Sequence, residues 1–272
     1  MFGRDAGSGG GGELPILTYH SLDDTGSVIS VAPSVFAEQM RALHEAAIST
    51  LSLPAAAQAL RDGRVPARAV VLTFDDGFEN FYEHAYPVLR RYGFTATNFL
   101  VTDYCGKDNS WPTQPAHVAR RPLLGWAQVR EMSEAGITFG AHSRTHPDLT
   151  RVSSGEAEEE VVASKRAVEQ FLERPVESFA YPYGAYNAAV KRLTAAHFPL
   201  ACSTTLDFAR PGSDLLALER LDMYYFRDAG LFQRLVSGEA RTYVRLRRLA
   251  RTVRPWLVGR FGRPQGYAES EP

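Results

Sequence analysis

Short apolar runs alternate with amphipathic helical patterns along most of this 272-residue chain, and no other feature constrains its fold as much. Strand, helix, strand is the repeating unit of parallel α/β architecture. The first run, "LPILTYH", ends at His20. A helix is predicted over about 33–47, with Phe36, Met40 and Leu43 on one face and Pro33 near its start. "AVVLTF" (69–74) is apolar throughout, as expected of a strand covered on both faces. After Gly77 a helix carries Phe81, Ala85, Val88 and Leu89 and is ended by Gly93. Later strand candidates are "TATNFLV" (95–101), "ITFGAHS", "ESFAYPYG" and "PLACSTT", and "LALERLDMYYF" closes the domain. Between them lie a helix with Trp126, Val129 and Met132 that stops at Gly136, an acid-opened helix from Glu156 to about Leu172, and one from about Asn187. Residues 102–122 read as a long loop with Gly106, Pro112, Pro115 and Pro122, and loops of that length are often functional.

A hydrophobic share of 44% suffices for a large core, and a net charge of -1 argues against a nucleic-acid binder. Cys105 and Cys202 fit no zinc or redox spacing and read as buried thiols. Residues 1–12 form a glycine-rich lead-in without the apolar stretch of a signal peptide, and no run is long enough to span a membrane, so the expectation is a cytoplasmic chain. Residues 13–228 form the expected domain, followed by a basic helical extension over 229–272. That extension holds ten arginines between Arg227 and Arg263, against Asp228 and Glu239, with Tyr243, Leu246, Leu249 and Val253 at helical spacing. One reading is a helix packed on the domain with a solvated basic face. The other is a surface for an anionic glycan, lipid headgroups or an acidic protein.

Four strand candidates end in polar residues: His20, Asp75-Asp76-Gly77, His142-Ser143-Arg144-Thr145-His146, and Tyr183-Gly184. In parallel α/β barrels the C-terminal strand ends share one face, where active sites form. Asp76, His142 and His146 would give a two-nitrogen, one-oxygen ligand set that leaves a divalent ion an open position. Neighbouring side chains diverge, so one aspartate can ligate while the other serves as general base. A structural role for each histidine, and a capping role for the aspartates, are the competing readings.

"TFDDG" (73–77) and "HSRTH" (142–146) resemble the two signature motifs of the polysaccharide deacetylases, the NodB-homology group or carbohydrate esterase family four, and "FAYPYG" (179–184) looks like a variant of the third. The resemblance covers about residues 14–225. It implies a distorted (β/α)7 barrel with one divalent metal, zinc foremost, with iron, nickel or cobalt as alternatives. It implies Asp75 as base, Asp76, His142 and His146 as metal ligands, and the Tyr183 N–H as an oxyanion donor. The third motif normally has an arginine where this chain has Ala180, and Arg220 in "LERLD" is the candidate to replace it. No histidine follows His197, so the family's late acid histidine is absent, whereas "LTYHS" looks like the circularly permuted branch that includes bacterial poly-N-acetylglucosamine deacetylases. That makes His20 the proton donor. The implied reaction removes N-acetyl groups from amino sugars of a glycan, with Trp111, Trp126 and Tyr186 as candidate walls for a sugar ring. The alternatives are a non-catalytic glycan-binding relative and an iron enzyme with a two-histidine, one-carboxylate site.

Overall fold

The computed structural model describes residues 12–115 and 118–261. Of the glycine-rich lead-in only Gly12 is among them, and His117 and the end of the basic extension past Phe261 also lie outside the described residues.

The chain enters through β1 (Ile16–Tyr19), then makes two-residue strands β2 (Ser21–Leu22) and β3 (Ser30–Val31) before α1 (Pro33–Glu45). A short unit, β4 (Ser49–Leu51) and α2 (Leu53–Arg61), leads to β5 (Ala69–Phe74). A π-helical turn (Phe81–Ala85) runs into α3 (Tyr86–Tyr92), followed by β6 (Thr97–Leu100), the long loop, α4 (Trp126–Glu134) and β7 (Thr138–Ala141). Then come α5 (Ser154–Leu172), β8 (Ser178–Ala180), α6 (Ala188–His197), β9 (Leu200–Leu206), β10 (Leu218–Asp222), α7 (Ala229–Val236) and α8 (Arg241–Phe261).

Among the described residues, β1, β10, β9, β8, β7, β6 and β5 follow one another by parallel pairing, and β1 pairs with β5 to close the ring. This is the expected seven-stranded parallel α/β barrel. Its distortion lies at β5. One edge holds β1, while the other is shared by β4 along Ala69–Val71 and by β6 along Thr73–Phe74. The β4–α2 unit escapes a pattern reading for physical reasons. β4 has three residues, none of them buried, and the buried stripe of α2 (Leu53, Ala56, Ala57, Leu60) is half alanine. Small and compact side chains fill the barrel interior, among them Ile16, Val71, Ala180, Cys202 and Leu218. Larger ones such as Phe36, Phe74, Phe81 and Phe179 sit in the cluster beneath the helices.

α8 packs on the domain through Tyr243 and Val244, with Ala240 buried just before it, whereas Leu246 and Leu249 are exposed. Several of its arginines turn back onto the domain. Arg241 pairs with Glu13, Arg248 with Asp207, and Arg247 and Arg251 lie over the Tyr225 ring at 5.0 and 6.0 Å. No helix of the described residues is long and apolar enough to cross a membrane.

Candidate active site

The polar strand ends meet at the C-terminal face of the barrel. β5 delivers Asp75 in extended continuation of the strand, with its N–H bonded to the Tyr19 carbonyl of β1. Asp76 then takes φ 72°, the left-handed region. That reversal separates two neighbouring carboxylates into two surroundings, a divergence the sequence pattern implied without giving its cause. Beyond β7, Ser143 and His146 also have positive φ, at 62° and 60°. The Ser143 hydroxyl accepts from the His146 N–H at 2.9 Å. The same tight loop is pinned by Glu160 of α5, which accepts from the Arg144 and Thr145 N–H groups, both at 2.8 Å, and from the Thr145 hydroxyl at 2.6 Å.

These turns place Asp76, His142 and His146 so that one donor atom of each lies within 4.8 Å of the others. The Asp76 carboxylate is 3.3 Å from His142 Nε2 and 3.4 Å from His146 Nε2, and the two ring nitrogens are 3.2 Å apart. His142 Nδ1 is fixed at 2.7 Å from the Ala180 carbonyl, which directs Nε2 into the cluster. All three residues are buried. Burial pulls His146 down to about 3. Burial acts the same way on His142, but its hydrogen bond to Asp76, with the charges of Asp75 and Asp76 and the Ala180 carbonyl, outweighs it and the ring is raised. Two imidazoles and a carboxylate, buried and converging on one point, suit a borderline cation such as zinc and leave a coordination position open.

Asp75 faces the barrel interior. Arg220 of β10 grips it with two parallel bonds, Nη1 to Oδ1 at 2.7 Å and Nη2 to Oδ2 at 2.6 Å, while Arg220 Nε donates to the Ser203 carbonyl at 2.9 Å. Burial pushes the Asp75 carboxyl up, yet the Arg220 guanidinium outweighs it and holds the group well below the usual carboxylate range. Arg220 thus meets Asp75 from β10, with β9 between it and β8, where Ala180 leaves the motif position without a charge. His20 has its Nε2 3.8 Å from Asp75 Oδ2 and a side chain 21% exposed. Its loop is clipped to the segment after the aspartates. Asn80 accepts from the Leu22 N–H at 3.1 Å and donates to the Ser21 hydroxyl at 2.7 Å.

Tyr183 sits in a tight turn after β8 at φ 58°. The turn's own hydrogen bonds come from the Gly184 and Ala185 N–H groups. Gly184 is required here, because a Cβ would lie 2.0 Å from the Thr204 hydroxyl. The Tyr183 ring packs edge-on to His146 at 4.6 Å, so the side chain borders the cluster.

The three candidate sugar walls separate. Tyr186 is 37% exposed and stacked on Tyr181 at 4.9 Å. Trp111 is 2% exposed and packs on His146 at 4.6 Å and edge-on to Tyr104, so it backs a candidate ligand and offers no face to a sugar. Trp126 stacks on Phe171 at 4.8 Å between α4 and α5, away from the site. Both tryptophan assignments are therefore corrected: an indole is as ready to fill a core gap as to stack on a ring.

A sequence profile described as "Polysaccharide deacetylase" matches residues 62–198. The chain belongs to the polysaccharide deacetylase family. A Bacillus subtilis protein named as a putative polysaccharide deacetylase, YxkH, is 28% identical over 211 residues, 77% of this chain and 71% of that protein. The poly-beta-1,6-N-acetyl-D-glucosamine N-deacetylase of Staphylococcus aureus is 26% identical over 167 residues, 58% of this chain and 55% of its own length. The structure of Streptococcus pyogenes deacetylase PplD in complex with acetate superposes with a TM-score of 0.68 at 29% identity, covering 77% of this chain and 92% of that one. IcaB from Ammonifex degensii shares the fold at a TM-score of 0.69 and 21% identity, over 83% of this chain and 96% of that one.

Three residues that brace the candidate site, Glu160, Asn80 and Thr113, whose hydroxyl donates to the His146 carbonyl, carry no motif signal. Each acts on backbone groups distant in sequence. Glu160 was read only as part of an acidic helix start, and nothing local distinguishes it from Glu158 or Glu159.

Proposed function

We propose that this protein is a metal-dependent de-N-acetylase acting on amino sugars of a poly- or oligosaccharide. The observation that carries the reading is the placement of Asp75. Its carboxylate is held by the Arg220 guanidinium, it directly precedes Asp76 of the Asp76–His142–His146 cluster, and His20 Nε2 lies 3.8 Å from it. A divalent ion held by Asp76, His142 and His146, zinc on the chemistry of these donors, supplies Lewis-acid polarisation of the acetyl carbonyl and acidifies the attacking water. Asp75 takes the proton of that water as it adds to the carbonyl carbon. The Tyr183 N–H donates to the oxygen on which negative charge develops, and losing one such donor costs about 3–4 kcal/mol of transition-state stabilisation. Protonated His20 gives its proton to the amine nitrogen as the C–N bond breaks, since an amide anion is too basic to leave unaided. Acetate and the free amino sugar result. Tyr183 and Tyr186 supply exposed aromatic faces for the sugar ring.

The non-catalytic reading drew on the arginine missing at Ala180. A guanidinium nonetheless holds Asp75, and glycan binding alone requires neither a fixed base nor a nearby proton donor. The deciding experiment combines elemental analysis with acetate release from N-acetylglucosamine oligomers, for the zinc-loaded wild type, Asp75→Asn and His20→Ala. Both variants are expected to keep metal and lose turnover. Absence of acetate from the wild type on neutral and substituted N-acetylated oligomers alike would overturn the assignment. Unchanged turnover in His20→Ala would remove His20 from it.

A further inference from the structure

The long loop after β6 reaches back over the site and grips it through one threonine. The Thr113 hydroxyl donates to the His146 carbonyl at 2.8 Å. The same hydroxyl is 2.9 Å from the Tyr183 hydroxyl, which donates to it and also lies 3.0 Å from the Thr113 carbonyl. A directional chain therefore runs from Tyr183 Oη through Thr113 Oγ1 to the backbone of His146. It joins the turn after β8 to the loop after β7, which have no covalent reason to move together.

Both residues at the ends of that chain are in the left-handed region, His146 at φ 60° and Tyr183 at φ 58°. For residues with a Cβ this backbone is disfavoured and persists only where the surroundings over-determine it. Tyr183 is 45% exposed, so packing alone does not supply that constraint. Its ring rests on His146, and its hydroxyl, at the opposite end from the backbone, is tied to Thr113. The His146 ring is in turn backed by Trp111, two residues before Thr113 on the same loop.

We propose that Thr113 is a positioning residue, which sets the Tyr183 backbone N–H and the His146 ring in a common register so that the oxyanion donor and the metal ligand converge on one carbonyl oxygen. The inference rests on the de-N-acetylase reading for its effect on turnover, and on the ligand cluster for its effect on metal binding. Thr113→Val removes both hydroxyl bonds at nearly constant volume. It is expected to lower kcat about three- to tenfold with KM changed less than about twofold. Zinc affinity, measured by titration without substrate, should fall by up to about tenfold. Thr113→Ser should restore both. Tyr183→Phe cuts the same chain from its exposed end and carries the test if Thr113→Val does not fold. Combining the two variants should cost no more than the worse single one, because they break one chain. A residue that merely stabilises the loop would lower the melting temperature and leave kcat, zinc affinity and additivity as they were, and that result overturns the proposal. If the wild type releases no acetate, the enzymatic reading has failed on its own account. The zinc titration then decides, with weakened binding in Thr113→Val supporting the brace and unchanged binding refuting it.

Discussion

Asp75 and His20, the proposed base and acid, are built into the site differently. Asp75 is 2% exposed and held by a bidentate guanidinium that is itself bonded to the strand beside it. His20 is 21% exposed at the side chain and meets Asp75 at 3.8 Å, outside hydrogen-bond range. Its restraint is indirect, through the Asn80 clip on the following two residues. The contrast suits the roles proposed above for the two residues. A base has to be ionised and aimed before substrate arrives, so it is fixed in the barrel interior. An acid that is spent in every turnover has to recover its proton from solvent, so it stands where water reaches it.

The comparison is most directly broken at Arg220. Arg220→Met strands a buried carboxylate, and urea unfolding should show a loss of about 3–5 kcal/mol. Turnover should fall more than about a hundredfold alongside. A small stability change would mean that Asp75 is not held as described. On the acid side, His20→Ala should lower kcat by a factor on the order of one hundred while stability stays within about 1 kcal/mol. A stability loss as large as that of Arg220→Met would erase the distinction between the two sides. Tyr186→Ala, at the rim, should raise KM a few-fold, worth about 1 kcal/mol, and leave kcat in place. The smallest effect is a control outside both sides. Ala47 and Glu173 have φ of 52° and 54° at helix ends. Ala47→Gly and Glu173→Gly should each add about 0.5–1 kcal/mol in thermal unfolding without altering turnover.

How much could be read from the sequence depends on the distance over which each feature is encoded. "TFDDG" and "HSRTH" announce themselves because the ligands and the backbone turns that aim them are neighbours in the chain. Six of the seven barrel strands are legible as short apolar runs, "AVVLTF" most plainly, whereas β10 carries Glu219, Arg220 and Asp222 within five residues and does not read as a strand. Arg220 was a candidate only because a charge was missing at Ala180. Its meeting with Asp75 spans 145 positions and has no local signature. Thr113 and Asn80 act on distant partners through single polar atoms, which composition and periodicity do not register. Trp111 and Trp126 show the opposite failure. Their residue type suggested a role, and the packing around His146 and Phe171 assigned them another. The basic extension also reads differently once folded, since its arginines at 241, 247, 248 and 251 have partners on the barrel itself.

The pairing of β1 with both β10 and β5 has a further consequence. An open sheet exposes a row of unsatisfied amides at each border, and such borders recruit other chains into aggregates. Here the ring leaves no free border of its own. Among the described residues the short segments outside it are β4, three residues long, and the two-residue pair β2 and β3. A template of that length is too brief to seed stacking of extended chains. The ring itself therefore offers no edge at which a second chain could extend the sheet.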